Sequence, residues 1–213
     1  MSFDFLRPDA ATIARAATFP SATIHEAMGR KGALPAAIKP VSNSWKIWGP
    51  AFTVVAKAFN NINIHRAIYQ AKPGDILVVD CGGGFEAGYF GEIMAHAAQQ
   101  RGLAGLVIDA CVRDADLLEE IGFPVFSRGL AIQGTTKDEG GSLAQLIRIG
   151  NVDVAPGDII NGDRDGVVVI PQGAAKAALD ASQSREDKEA RTIASLKQGK
   201  STIELYGWAP LPK

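Results

Sequence analysis

The chain has 213 residues, 46% of them hydrophobic, which is enough to bury a sizeable core in one domain spanning residues 1–213. Lys plus Arg total 22 against 23 for Asp plus Glu, a net charge of −1, so composition points to neither nucleic acid nor an anionic membrane as a partner. Apolar runs stay well short of the roughly 18 residues of a membrane span, the first residues lack the basic-then-apolar pattern of a secretory leader, and Cys81 and Cys111 lack metal-ligand spacing, so a cytoplasmic protein with free thiols is expected.

Helical spacing marks residues 10–17 and 21–28, the second segment opened by Ser21 behind Pro20 as a capping residue. Residues 45–59 turn extended, with the β-branched and aromatic content of a strand, and residues 62–71 are helical again. Pro73-Gly74-Asp75 then forms a turn that feeds the apolar strand ILVVD, the pattern of a strand covered on both faces. Gly82-Gly83-Gly84 follows; no Gly-Lys-Ser/Thr comes after it, so it is a substrate-facing loop or a plain turn rather than a phosphate loop.

Glu92 heads a helix over residues 92–101, closed by Gly102, and LAGLVID follows as a buried strand. Asp114 opens the next helix, which ends at Gly122 ahead of Pro124. Strand, helix, strand, helix places both helix starts at one sheet edge, where α/β sheets hold ligands. Arg113 could fork onto an anion that also meets the free N–H groups of Ile93 and Met94, while Asp114 and Glu92 offer hard oxygen ligands suited to Mg²⁺. A metal and an arginine together would stabilise an enolate forming on a 2-oxo acid. The bland reading of the same spacing makes Asp114 a helix cap, Arg113 a surface ion-pair partner and Glu92 a first-turn acid.

Further along, Pro156-Gly157-Asp158 repeats the earlier turn and leads into a hairpin through residues 163–166. Residues 173–198 form a long charged amphipathic helix, and STIELYGW could be a last strand. Three histidines, His25, His65 and His96, are candidate proton acceptors by type alone. Lys57 is the best candidate for a Schiff base, but strand alternation puts it on one face with Thr53 and Val55, which gives it no particular reason to be activated.

Glu92, twenty intervening residues and Arg113-Asp114 resemble the acid-X20-Arg-Asp signature of the RraA-like family. The likeness extends through TIHEAMGRKGAL, AKPGDILVVD, GLVIDACVRD, GFPVFSRGL, GTTK and PGDIINGDRDGVVVIP. It is greatest toward the class II pyruvate aldolases of 4-hydroxy-4-methyl-2-oxoglutarate and 4-carboxy-4-hydroxy-2-oxoadipate, enzymes of aromatic-acid catabolism. The resemblance implies an α/β/β/α sandwich like the phosphohistidine swivelling domain, built into homotrimers or homohexamers with sites between subunits. It also implies a divalent metal, Mg²⁺ or Mn²⁺, bound directly by Asp114 and through water by Glu92.

By the same resemblance, Arg113 binds pyruvate and stabilises its enolate, and the backbone of Gly91, Glu92, Ile93 and Met94 holds the substrate. Glu189, with Glu186 as its rival, supplies a further acid from the neighbouring subunit. Oxaloacetate decarboxylation is expected as a side activity through the shared enolate. Relatives of another class inhibit a ribonuclease by protein binding, for which the Arg113-Asp114 pair with Glu92 would be superfluous. Others carry a methyltransferase label, for which no S-adenosylmethionine loop is present.

Overall fold

The computed structural model describes residues 3–209. In chain order its elements are α1 (Ala10–Ala16), α2 (Ser21–Ala27), β1 (Lys39–Pro40), β2 (Ile47–Val55), α3 (Ile62–Gln70), β3 (Ile76–Asp80), α4 (Glu92–Gln100), β4 (Gly105–Ile108), β5 (Cys111–Val112) and α5 (Ala115–Ile121). They continue with β6 (Val125–Ser127), β7 (Gly129–Leu130), β8 (Ser142–Leu143), β9 (Ile147–Ile149), β10 (Val152–Val154), β11 (Ile159–Asp163), β12 (Gly166–Ile170), α6 (Ala175–Lys197) and α7 (Thr202–Tyr206).

The main sheet runs β1-β6-β4-β3-β2-β11-β12, with β2, β3, β4 and β6 parallel and the flanking strands antiparallel. Strand β8 pairs with the end of β2 that β11 leaves free. The sheet curls until its edges approach, with Lys39 of β1 donating to the Asp165 carbonyl of the β11–β12 turn. It is therefore a nearly closed mixed sheet.

Burial follows this curl in three cores. Helices α3, α4 and α5 cover the outer face of the parallel half around Phe52, Leu77, Ile108 and Met94. The inner faces meet each other around Ile76, Val78, Val107, Ile160 and Val169. Helices α1, α2 and α6 cover the β11–β12 face around Ile24, Ile159, Val168 and Leu179. The result is helix, sheet, sheet, helix, the sandwich that the resemblance implied.

The two Pro-Gly-Asp segments form the same turn. The Asp75 and Asp158 N–H groups return to the carbonyls of Lys72 and Ala155 at 3.0 and 3.1 Å, and Gly74 and Gly157 have φ of +87° and +88°. Glycine is required at that place in a type II turn. Each aspartate then accepts the N–H at the head of its own turn at 2.8 Å. The turns launch strands on opposite sides of β2, so the repeat brackets the longest strand of the sheet.

Some expectations are corrected. STIELYGW forms α7 rather than a strand: Ser201 Oγ accepts the Glu204 N–H while the Glu204 carboxylate accepts from the Ser201 N–H. That reciprocal capping box outweighs the β-propensity of Thr, Ile and Tyr. Ser21 lies within α2 rather than capping it; its N–H and Oγ both donate to Asp163 across the fold, at 2.8 and 2.7 Å. Strand β2 stops at Val55, so Lys57 lies beyond it, exposed, with Nζ donating to the Glu139 carbonyl. Such exposure removes the burial that a Schiff-base lysine needs.

Candidate functional site

Strands β3 and β4 are parallel neighbours, so α4 and α5, which follow them, begin at one edge of the sheet. The expected convergence is present there, with a detail that spacing does not reveal. Asp114 does not cap α5 with its side chain; its backbone is left-handed (φ +59°), and its Oδ2 instead accepts the Glu92 N–H at the head of α4, at 3.2 Å. The carboxylate of one helix start thus binds the donor end of the other, where orphan N–H groups and the macrodipole both favour negative charge. Aspartate is among the few non-glycine residues that tolerate that backbone region.

Arg113 lies beside it, Nε 3.7 Å from Asp114 Oδ2, and both side chains are partly open to solvent. Its N–H is anchored on the Phe90 carbonyl at 2.9 Å, and its aliphatic stem crosses the 88–91 loop. A Cβ at Gly88 would come within 2.9 Å of Arg113 Cβ, and one at Gly91 would collide with Asp114 Oδ2. Gly91 itself is extended, at φ −161°, so it is glycine for space rather than for backbone freedom.

These residues line a cavity of about 270 Å³ together with His65, Asn61, Thr135 and Lys137. An adjoining hollow of about 390 Å³ shares Arg113 and Asp114 and is walled by Leu130 and Ile132. The N–H of Ile93 has no partner among the described residues and remains available to an anion, whereas that of Met94 returns to Gly91 at 3.1 Å. Ile93 is largely exposed and Met94 is buried.

Of the three histidines, His65 alone lines this cavity. Burial, and then the positive charge of Lys137, lower its pKa below the ordinary imidazole value, so it is neutral at pH 7 and able to accept a proton. His25 belongs instead to a separate cavity of about 730 Å³ between α2 and α6, its Nδ1 3.0 Å from the Lys31 carbonyl. His96 is exposed on α4. Glu186 and Glu189 lie on α6, which packs in the opposite helix layer, and Glu189 pairs with Arg185 at 2.9 Å. From residue 183 onward α6 buries no residue fully, although Arg185 still reaches Glu26 of α2 at 3.7 Å.

The glycine run forms a turn and is not among the residues lining the Arg113 cavity. Gly82 and Gly83 supply positive φ, and Gly84 lies against the Tyr89 hydroxyl, which donates to its carbonyl at 2.7 Å. Both cysteines are free. Asn61, Thr135 and Lys137 received no role from the sequence; GTTK was visible as a motif, but nothing local tells that it folds over α3. The contact is made when the Asn61 N–H donates to the Thr136 carbonyl and the Thr136 N–H to the Phe59 carbonyl, at 3.1 and 2.8 Å.

The donors available to a divalent ion fit it in kind. Asp114 and Glu92 both line one cavity and carry hard carboxylate oxygens, and no group of three metal-binding side chains forms among the described residues. One or two carboxylates completed by water and substrate oxygens is the usual setting of Mg²⁺.

Fold and site together define a mixed α/β protein that presents a cation, two carboxylates and a helix N-terminus around one small cavity. The chain belongs to the RraA-like family (Aldolase/RraA), which it matches over residues 21–169. It is 35% identical over 175 residues to a protein of Halalkalibacterium halodurans that carries the provisional name 4-hydroxy-4-methyl-2-oxoglutarate aldolase, covering 82% of this chain and 83% of that one. An uncharacterised protein of Pseudomonas syringae has a similar crystal structure, with a TM-score of 0.80, 27% identity, and 92% and 97% of the two chains covered. Streptomyces coelicolor RraAS2, described as an unusual member of the RNase ES inhibitor RraA family, matches with a TM-score of 0.77 over 89% of this chain and 99% of its own; at 24% identity that likeness shows the fold alone.

Proposed function

We propose that the protein is a divalent-metal-dependent class II pyruvate aldolase acting on a 4-hydroxy-2-oxo acid, either 4-hydroxy-4-methyl-2-oxoglutarate or 4-carboxy-4-hydroxy-2-oxoadipate. The observation that carries this is the Asp114 carboxylate turned onto the Glu92 N–H with Arg113 at its side. The provisional name of the Halalkalibacterium relative supports the same substrate class.

Arg113 and the free N–H of Ile93 receive the carboxylate and oxo oxygens of the pyruvyl end by charge-assisted hydrogen bonds. Asp114 would hold the divalent ion, Mg²⁺ or Mn²⁺, directly and Glu92 through water, and the bound ion would supply Lewis-acid polarisation of the 2-oxo group. His65 takes the hydroxyl proton, the C3–C4 bond breaks, and its electron pair moves into the enolate of pyruvate, stabilised by Arg113. C4 leaves as the carbonyl of oxaloacetate or of a second pyruvate, and the enolate is protonated at C3. Oxaloacetate would lose CO₂ through the same enolate, so decarboxylation accompanies cleavage.

Among the described residues no third acid lines this cavity, and Glu189 lies on α6 in the opposite helix layer. The exposed apolar side chains at the mouth, Ile93, Leu130 and Ile132, are what a second copy would cover. The active unit is accordingly a homotrimer or homohexamer in which Glu189 reaches a neighbour's site. Purified protein with Mg²⁺ or Mn²⁺ should release pyruvate from at least one of the two hydroxy acids and from oxaloacetate, and chelation should abolish the release. Absence of pyruvate from all three overturns the reading.

A further inference from the structure

The cavity of about 730 Å³ between α2 and α6 lies in the helix layer opposite the Arg113 site and shares no lining residue with it. Its walls are apolar, formed by Met28 after α2, Val152 of β10, Val169 of β12, Pro171, and Ala177 and Ala178 of α6. Val169 and Ala178 are buried, whereas Arg30, Lys31, Asn151 and Asp153 are exposed, so an apolar floor lies beneath a polar rim. Such a recess, of this size and with few polar groups, has the make-up of a small-molecule site. None of the large apolar side chains exposed among the described residues lines it, whereas Ile93, Leu130 and Ile132 stand at the Arg113 site. It is therefore a recess for a small ligand rather than an apolar face for a second copy.

The charge left over at the rim has one sign. Lys31 takes part in none of the ion pairs of the described residues. Arg30 shares the single Glu26 carboxylate with Arg185, at 3.2 and 3.7 Å, which leaves one positive charge in excess. Asp153 is committed to Arg148 through two bonds of 2.6 and 2.9 Å. The turn that carries the two cations is pinned to its surroundings. The Arg30 N–H donates to the His25 carbonyl at 2.9 Å, His25 Nδ1 to the Lys31 carbonyl at 3.0 Å, and the Val169 N–H to the Gly32 carbonyl at 2.8 Å. Arg30 holds a left-handed backbone there, at φ +63°, a place that glycine takes without strain.

We propose that this cavity is a second binding site, for an aromatic carboxylate, with the ring against the apolar floor and the carboxylate on Lys31 and Arg30. Charge-assisted bonds from the two cations orient the anion, and the Met28 thioether and the Arg30 guanidinium both favour a ring over an aliphatic chain. The site is independent of the aldolase reading, since nothing in it belongs to the Arg113 cavity.

Calorimetric titration of the full chain tests it with three probes: 2-naphthoate, 2-naphthalenemethanol, which has the rings without the charge, and acetate, which has the charge without the rings. The wild type should bind 2-naphthoate in equimolar proportion with a Kd below about 1 mM, the alcohol at least about ten-fold more weakly, and acetate not detectably. Lys31→Glu should weaken naphthoate binding about ten-fold or more, and Ala177→Trp, which fills the cavity, should abolish it. Arg113→Ala should leave it unchanged. No binding by the wild type, equal affinity for acid and alcohol, binding that survives Ala177→Trp, or binding lost in Arg113→Ala would each overturn the proposal. A wild type that binds no naphthoate, with an Ala177→Trp variant that comes apart by light scattering, would assign the cavity to a second copy instead. Should the Trp variant not fold, Ala177→Met and the exposed Lys31→Glu decide in the same way.

Discussion

The Asp114 carboxylate accepts the N–H at the head of α4, where Gly91 leaves it room, and on the proposed function it would also be a hard ligand to the metal. Asp114→Ala and Arg113→Ala are expected to lower kcat/KM for pyruvate release by about 10²–10³-fold, the scale of removing one electrostatic stabiliser; full activity in either would remove that residue from the site. Gly91→Ala sets a methyl group against Asp114 Oδ2 and should cost at least about ten-fold in kcat/KM, since small misplacements in a reacting geometry cost that much or more. His65 gives a pH signature. Its folded pKa is lowered, so as pH falls the unfolded chain takes up the proton first, and stability from this group is lost below the ordinary value of 6.5. The acid limb of the kcat/KM profile should therefore lie below 6.5, and His65→Asn should abolish it; an unchanged limb in that variant would clear His65 of the role of proton acceptor. The types and spacing of Glu92, Arg113 and Asp114 were legible in the sequence. Which N–H group Asp114 would bind was not, because a helix-opening aspartate ordinarily caps its own helix.

At the scale of elements, turns and caps decide more than strands do. Tyr89, fully buried, ties the loops around the site: its hydroxyl accepts from the Phe59 N–H and donates to Gly84, and its carbonyl receives Asn61. Burial pushes its pKa up to about 12, so the phenol stays a donor across the whole working range. The first Pro-Gly-Asp turn is anchored from the N-terminal segment, where Arg7 forks onto Asp75 with both contacts at 2.7 Å and stacks 3.9 Å over Phe5. Asp75 is wholly buried, so Arg7→Ala strands a carboxylate and should cost about 3–5 kcal/mol, roughly 10 °C in Tm for a chain of this size. Thermal unfolding measures it, and a shift under 2 °C would show the pair to be dispensable. Ser201-x-x-Glu204 shows a local signal that was legible and was outweighed by composition: the capping box was written in STIE, and the aromatic and β-branched residues around it pointed to a strand.

At the scale of the molecule, the cavity holds two of the three expected acids and the third lies on α6, in the opposite helix layer. If sites are shared between copies, Arg113→Ala and Glu189→Ala should each be inactive alone and should regain pyruvate release when mixed and reassembled, because some sites then combine an intact Arg113 with an intact neighbouring Glu189. No recovery on mixing, with both variants still oligomeric by light scattering, would keep Glu189 out of the site. By itself the sequence determined the period of the longer elements up to α6, the two Pro-Gly-Asp turns, the hairpin after the second and the acid-X20-Arg-Asp spacing, since all of these are written within a few residues of backbone and side-chain chemistry. Only the tertiary structure decided that the sheet curls until its edges meet, that Asp114 serves α4 rather than α5, and that His65 rather than His25 or His96 enters the cavity. Those outcomes depend on which distant segments pack together, and local periodicity carries no record of that.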